Sequence, residues 1–246
     1  MDYNPLLSIA TAALEIGAGT WALRGPGRKP IIHAVATILF LLAGYQIVEA
    51  IFCTGLLPTT GSFLPRLAFI VVAWLPPTGL LLAARLYPGQ KRGLYWYAYG
   101  MYLFCAALVL GIATDPHFVT TSVCMIVFAR YTTPTPLYHT YGLFYQSGLM
   151  SLLAISAWGV TLADDRRQRL LLGQLMLGSM AFIFPSLVTV ATLPVAENAL
   201  PSIMCHFALL LALFLIRLVA IERHNVLEPN TATPLPVETM STGAAG

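Results

Sequence analysis

Seven side chains in this sequence lie within or at the edge of long apolar runs and could do chemistry: Glu15, Gln46, Glu49, Arg66, His139, Gln146 and His206. An ionisable group in hydrocarbon costs at least a few kcal/mol, so each needs a partner or a wet cavity. Gln46 and Glu49 are three residues apart and Cys53 follows four later, which puts all three on one helix face. Arg66 opens the next apolar run across a short turn and could offer Glu49 a charge-assisted partner. A carboxylate at Glu49 or Glu15 with the imidazole of His206 could serve as a base. Imidazole and carboxylate together could also ligate zinc. The spacing does not support a metal: hydrolases of the intramembrane ceramidase type carry paired histidines one turn apart on a late helix, and position 210 is Leu. No metal or cofactor is therefore assigned.

The elements that hold these residues follow from composition. The chain is 58% hydrophobic and 9% charged over 246 residues, where a soluble domain is about a quarter charged. A span needs about 20 apolar residues, and seven such runs occur, at 5–23, 31–54, 63–86, 94–113, 137–162, 170–192 and 200–221. Hydrocarbon satisfies no backbone polar group, so each run reads as a helix. The expected fold is an all-α membrane protein, a seven-transmembrane-helix bundle over residues 1–224. The Pro-, Thr- and Gly-rich segment 225–246 is expected to be a disordered tail. The opening Met-Asp-Tyr-Asn-Pro lacks a basic signal-peptide region, so the first run is expected to stay as a helix. No internal repeat supports an inverted-repeat transporter.

Orientation follows from the basic residues, which are retained on the cytoplasmic side. Every Lys and Arg except Arg66 and Arg130 falls on one side of the seven runs. The amino terminus is thus expected outside and the carboxyl terminus in the cytoplasm. Tyr95, Trp96, Tyr97 and Trp158 fall at the inner boundary and Tyr131, Tyr138 and Tyr141 near the outer one, as aromatic belts should. At about 1.5 Å rise per residue, Glu15 lies near mid-membrane, while Glu49 and His206 lie roughly 7–10 Å below the outer surface. Arg66 and His139 fall at that boundary, with Gln46 and Gln146 in the outer halves of their helices. A cavity open to the outside would account for all of them.

The long connection 114–136 contains Val119–Phe128, rich in β-branched residues and too short to span, which reads as a β-hairpin or lid between the fourth and fifth helices. Trp74-Leu-Pro-Pro-Thr-Gly79 removes two backbone donors and must kink or break helix three, and Phe184-Pro185-Ser186 is a second expected kink. Cys53 and Cys124 fall on the same side and could form a disulfide. No CxxC pair, zinc spacing or nucleic-acid-binding basic patch is present, and a retinal linkage lacks its lysine, since Lys29 and Lys91 both lie in loops.

With the helices placed, the chain resembles a family of uncharacterised bacterial seven-helix integral membrane proteins, a domain of unknown function. Gln46-Ile-Val-Glu49, Trp74-Leu-Pro76 and Ser202-Ile-Met-Cys205-His-Phe207-Ala208 carry the likeness, with Ile126-Val-Phe128 in the connecting loop. The family's opening Met-Cys-Phe-Ser is absent, and an aromatic residue is usual where this chain has His206. The resemblance implies fold, topology and a bacterial inner membrane, and carries no activity.

The reading that fits these residues best is a non-enzymatic sensor or transporter-like bundle that binds a small molecule or lipid in its outer half. Glu49 anchors the ligand, Arg66 sets its charge, Gln46 and His206 orient a polar head group, and 114–136 acts as a lid. A metal- or carboxylate-dependent intramembrane hydrolase and a structural or accessory subunit are the alternatives. The lipid bilayer is the partner the composition demands. Oligomeric state is open.

Overall fold

A computed structural model describes residues 5–55, 63–125, 129–133, 135–192 and 199–227. Its helices are α1 (Leu6–Arg24), α2 (Lys29–Thr54), α3 (Phe63–Ala73), α4 (Leu75–Leu86), α5 (Arg92–Thr114), α6 (Pro136–Leu162), α7 (Arg166–Thr192) and α8 (Leu200–Leu227). Strands β1 (Thr121–Cys124) and β2 (Ala129–Thr132) stand between α5 and α6. With α3 and α4 forming one unit over Phe63–Leu86, seven helical segments among the described residues are long and apolar enough to cross a membrane. Residues 126–128 of the expected hairpin and the expected tail past Leu227 fall outside the described residues.

The expected break in helix three occurs at Trp74, where α3 ends and α4 begins. Pro76 and Pro77 lack the amides that would bond the carbonyls of Val72 and Ala73. A thiol from α5 serves the second of these carbonyls. The Cys105 thiol of α5 donates to the Ala73 carbonyl at 3.2 Å, and the Thr78 hydroxyl lies 2.7 Å from the Trp74 carbonyl and 2.9 Å from the Tyr102 hydroxyl. The break also pushes Pro76 against α6, where a Cβ on Gly148 would lie 2.6 Å from the Pro76 Cβ. Gly19 under Phe40 and Gly178 under Phe214 give similar close approaches at the α1–α2 and α7–α8 crossings. Small residues at such crossings let backbones close together where lipid offers no hydrophobic drive. By contrast α7 continues as one helix through Pro185, with Ser186 bonding the Phe182 carbonyl at 2.6 Å.

Side-chain contacts sort the connections into two ends. At one, Glu222 of α8 is fully buried and accepts from Arg28 Nε at 2.7 Å, Arg28 Nη2 at 2.9 Å and Arg167 Nη2 at 2.9 Å. Three separate segments thus meet on one carboxylate, and its hydrogen bonds hold the Arg28 guanidinium above its ordinary pKa against the opposing effect of burial. Other side-chain donors at this end serve the orphan carbonyls that every helix C-terminus leaves. Arg223 reaches the carbonyls of Trp21 and Ala22 while its guanidinium lies 3.9 Å from the centre of the Trp21 ring. Lys91 donates to the Arg85 carbonyl at 3.2 Å and Gln168 to that of Leu86 at 2.6 Å. The same contacts explain two helices longer than the sequence reading. Arg167 N–H bonds the Asp165 side chain at 3.0 Å, starting α7 at Arg166 rather than 170, and the buried Glu222 extends α8 past 221.

The opposite end carries the two strands. They pair antiparallel with Ser122 opposite Tyr131 and Cys124 opposite Ala129. Alternate residues Ala129 and Tyr131 face the bundle and are buried, while Arg130 and Thr132 are exposed. Cys53 at the end of α2 forms a disulfide with Cys124, the two Cα atoms being 5.6 Å apart. Ala129 N–H bonds the Ser202 hydroxyl of α8 at 2.9 Å, so the ribbon is tied to α2 and α8. Beneath it Phe69 meets Phe118 and Tyr131 edge-on with centroids 5.3 and 5.0 Å apart, a geometry aromatic quadrupoles favour.

Candidate functional site

Six of the seven side chains singled out from sequence separate into two places, and Arg66 caps α5 apart from both. Glu15 of α1 and Gln46 and Glu49 of α2 are all buried. Gln46 Nε2 donates to the Cys205 carbonyl of α8 at 2.5 Å, and the carboxyl groups of Glu15 and Glu49 are both close enough to the Cys205 thiol to act on it electrostatically. This is a compact polar layer where α1, α2 and α8 meet. Above it, the Tyr45 and Tyr131 hydroxyls are 3.0 Å apart, linking the layer to the ribbon. His206 stands half-buried at the edge, its Nδ1 donating to the Ser202 carbonyl at 2.8 Å. Arg66 directs its Nη1 to the carbonyls of Ala113 and Asp115, both at 3.3 Å, capping the end of α5.

His139 and Gln146 belong to the second place. α7 packs against both α6 and α8, and at the ribbon end α6 and the first turn of α8 leave a cavity of about 450 Å³ between them. Tyr138, Tyr141 and Tyr145 recur at three- and four-residue steps and so share one face of α6, forming an aromatic wall. Leu200, Pro201 and Met204 form the facing side, and Val72 of α3 contributes from below. His139 and Gln146 supply the polar side chains at the rim, beside the exposed Leu143. Gly142 also lines the space, and a Cβ placed there meets no atom within 4 Å.

The two places share a partition. Met204 faces the cavity while its neighbour Cys205 faces the polar layer, and Tyr141 and Tyr145 of the cavity wall are within electrostatic reach of the Cys205 thiol. The wall continues under the ribbon, because Tyr141 also packs edge-on against Phe69 at 5.4 Å. An apolar cavity with a few convergent polar groups is the form that small-molecule sites take. Among the described residues no group of three or more His, Cys, Asp or Glu side chains is placed to hold a metal ion.

The sequence reading placed Tyr138 and Tyr141 in an outer aromatic belt and did not single out Tyr145, although the three- and four-residue spacing puts all three on the face that lines the cavity. The Glu222 cluster was missed because its partners are about 55 and 194 residues away. No family model, curated protein or solved structure matches this chain.

Proposed function

We propose that this chain is a multi-pass protein of the bacterial cytoplasmic membrane that binds a lipid or small amphipathic molecule without catalysing a reaction on it. The amino terminus and ribbon face outward and the arginine-rich end faces the cytoplasm, a placement supported by the concentration of Lys and Arg at the end where Glu222 lies. The observation that carries the binding reading is the cavity between α6 and α8. Its tyrosine wall fits an apolar body, and His139 and Gln146 at the rim fit a polar head near the outer boundary. Its mouth beside Leu143 gives access from the outer leaflet, so the ligand class is one that partitions into the bilayer.

Photocrosslinking tests this. A benzophenone side chain at Leu143 should capture one defined small molecule from native membranes. The same group at Leu110, an exposed apolar position on α5 away from the cavity, should capture only mixed bulk lipid. Identical mixtures at both positions would rule out a selective cavity.

A further inference from the structure

Glu15 sits in the middle of α1 at 0% exposure, and neither carboxyl oxygen has a hydrogen-bond partner among the described residues. Gln46 is turned so that its Nε2 serves the Cys205 carbonyl, leaving its Oε1 without a donor among those residues. The layer therefore holds three acceptor atoms, both oxygens of Glu15 and the Gln46 Oε1, that no donor among the described residues reaches.

α1 packs against α2 and α8, and the charges those helices bring are exposed or occupied elsewhere. From α2 come Tyr45, paired with Tyr131, Glu49, another carboxyl group, and the exposed Lys29 and His33 at the arginine-rich end. From α8 come the Cys205 thiol, His206 at the edge, the exposed Arg217, and Glu222 with Arg223 and the exposed His224 at the arginine-rich end. Glu222 is held by Arg28 and Arg167, and Arg223 lies over Trp21. Trp21 is six residues from Glu15, about 9 Å along the helix. The group within electrostatic reach of Glu15 is the Cys205 thiol, which supplies no positive charge.

An ionised carboxylate so placed costs several kcal/mol in lost solvation with nothing to offset it. A proton removes the charge and turns one acceptor into a donor, which is what the layer lacks. A metal ion would need more ligands than the described residues bring together.

We propose that Glu15 is a proton-binding site at the centre of the α1–α2–α8 layer, carrying its proton in the folded bundle. The proton comes from water and returns to water, and its release leaves an uncompensated charge between three packed helices. Deprotonation is thus linked to parting of α1 from α2 and α8, because only a conformation that admits water stabilises the anion. The inference is independent of the α6–α8 cavity and adds proton coupling to the bundle.

Infrared spectroscopy of the full chain in lipid nanodiscs tests it. At neutral pH exposed carboxyl groups are ionised, so a carbonyl-stretching band of a protonated carboxyl should appear, shift in heavy water, and be lost in Glu15→Gln. Glu15→Asp, which keeps a carboxyl on a shorter stem, should shift the band. Absence of the band in the wild type, its full survival in Glu15→Gln, or its loss on adding sodium at constant pH would overturn the proposal.

Discussion

The Cys105 thiol stands 3.2 Å from the Ala73 carbonyl, in the place left vacant by the amide that Pro77 lacks. Both groups are buried, and a buried acceptor stripped of its donor costs about 1–3 kcal/mol. Cys105→Val should therefore destabilise the bundle by about 1–2 kcal/mol, and Cys105→Ser, which keeps a donor, by less. In a Pro77→Ala background the restored amide serves Ala73, so the Cys105→Val penalty should largely vanish. Denaturant unfolding in mixed micelles reads this cycle, and additive penalties would contradict it.

The helices were legible because hydrophobicity over some 20 residues is a local signal and bilayer thickness fixes its length. The break at Trp74 was equally local, since proline acts on its own turn. Gln46, Glu49 and Glu15 were legible as buried polar residues, because their cost is set by the run around them. What faces them was not. Cys105 meets Ala73 and Gln46 meets Cys205 across helix contacts whose rotation no apolar run encodes. Helix position alone predicts a similar depth for His139, Gln146 and Gln46, yet the first two line a cavity on a different side of the bundle.

Glu222 should be the most sensitive charged position in the chain. Its side chain is fully buried between two arginines that are partly wet, Arg28 being 49% exposed and Arg167 29%. Removing one partner of a buried pair costs about 3–5 kcal/mol, and Glu222→Gln should fall near 3 because water can still reach both guanidinium groups. Arg28→Ala should cost less, since Arg167 continues to hold the carboxylate. A thermal-stability series in which Arg28→Ala exceeds Glu222→Gln would contradict this order.

The Cys53–Cys124 bridge closes 71 residues of chain, which the loop-entropy argument values at about 4 kcal/mol. Cys105 and Cys205 are free and buried. Thiol titration of the denatured, unreduced protein should find two reactive groups, rising to four after reduction. Four without reductant would show that the bridge does not form. Cys53→Ser should lower the unfolding temperature as much as reduction of the wild type does, and reduction should then have no further effect.

The central claim is an occupied cavity between α6 and α8, and native mass spectrometry of the gently solubilised chain tests it most directly. Gly142 lines that cavity, while Gly173 on α7 lies away from it, and at both a Cβ finds open space. A discrete bound mass is expected in the wild type, lost in Gly142→Phe and retained in Gly173→Phe. A wild type with no bound mass, or a mass retained equally by all three proteins, would contradict it.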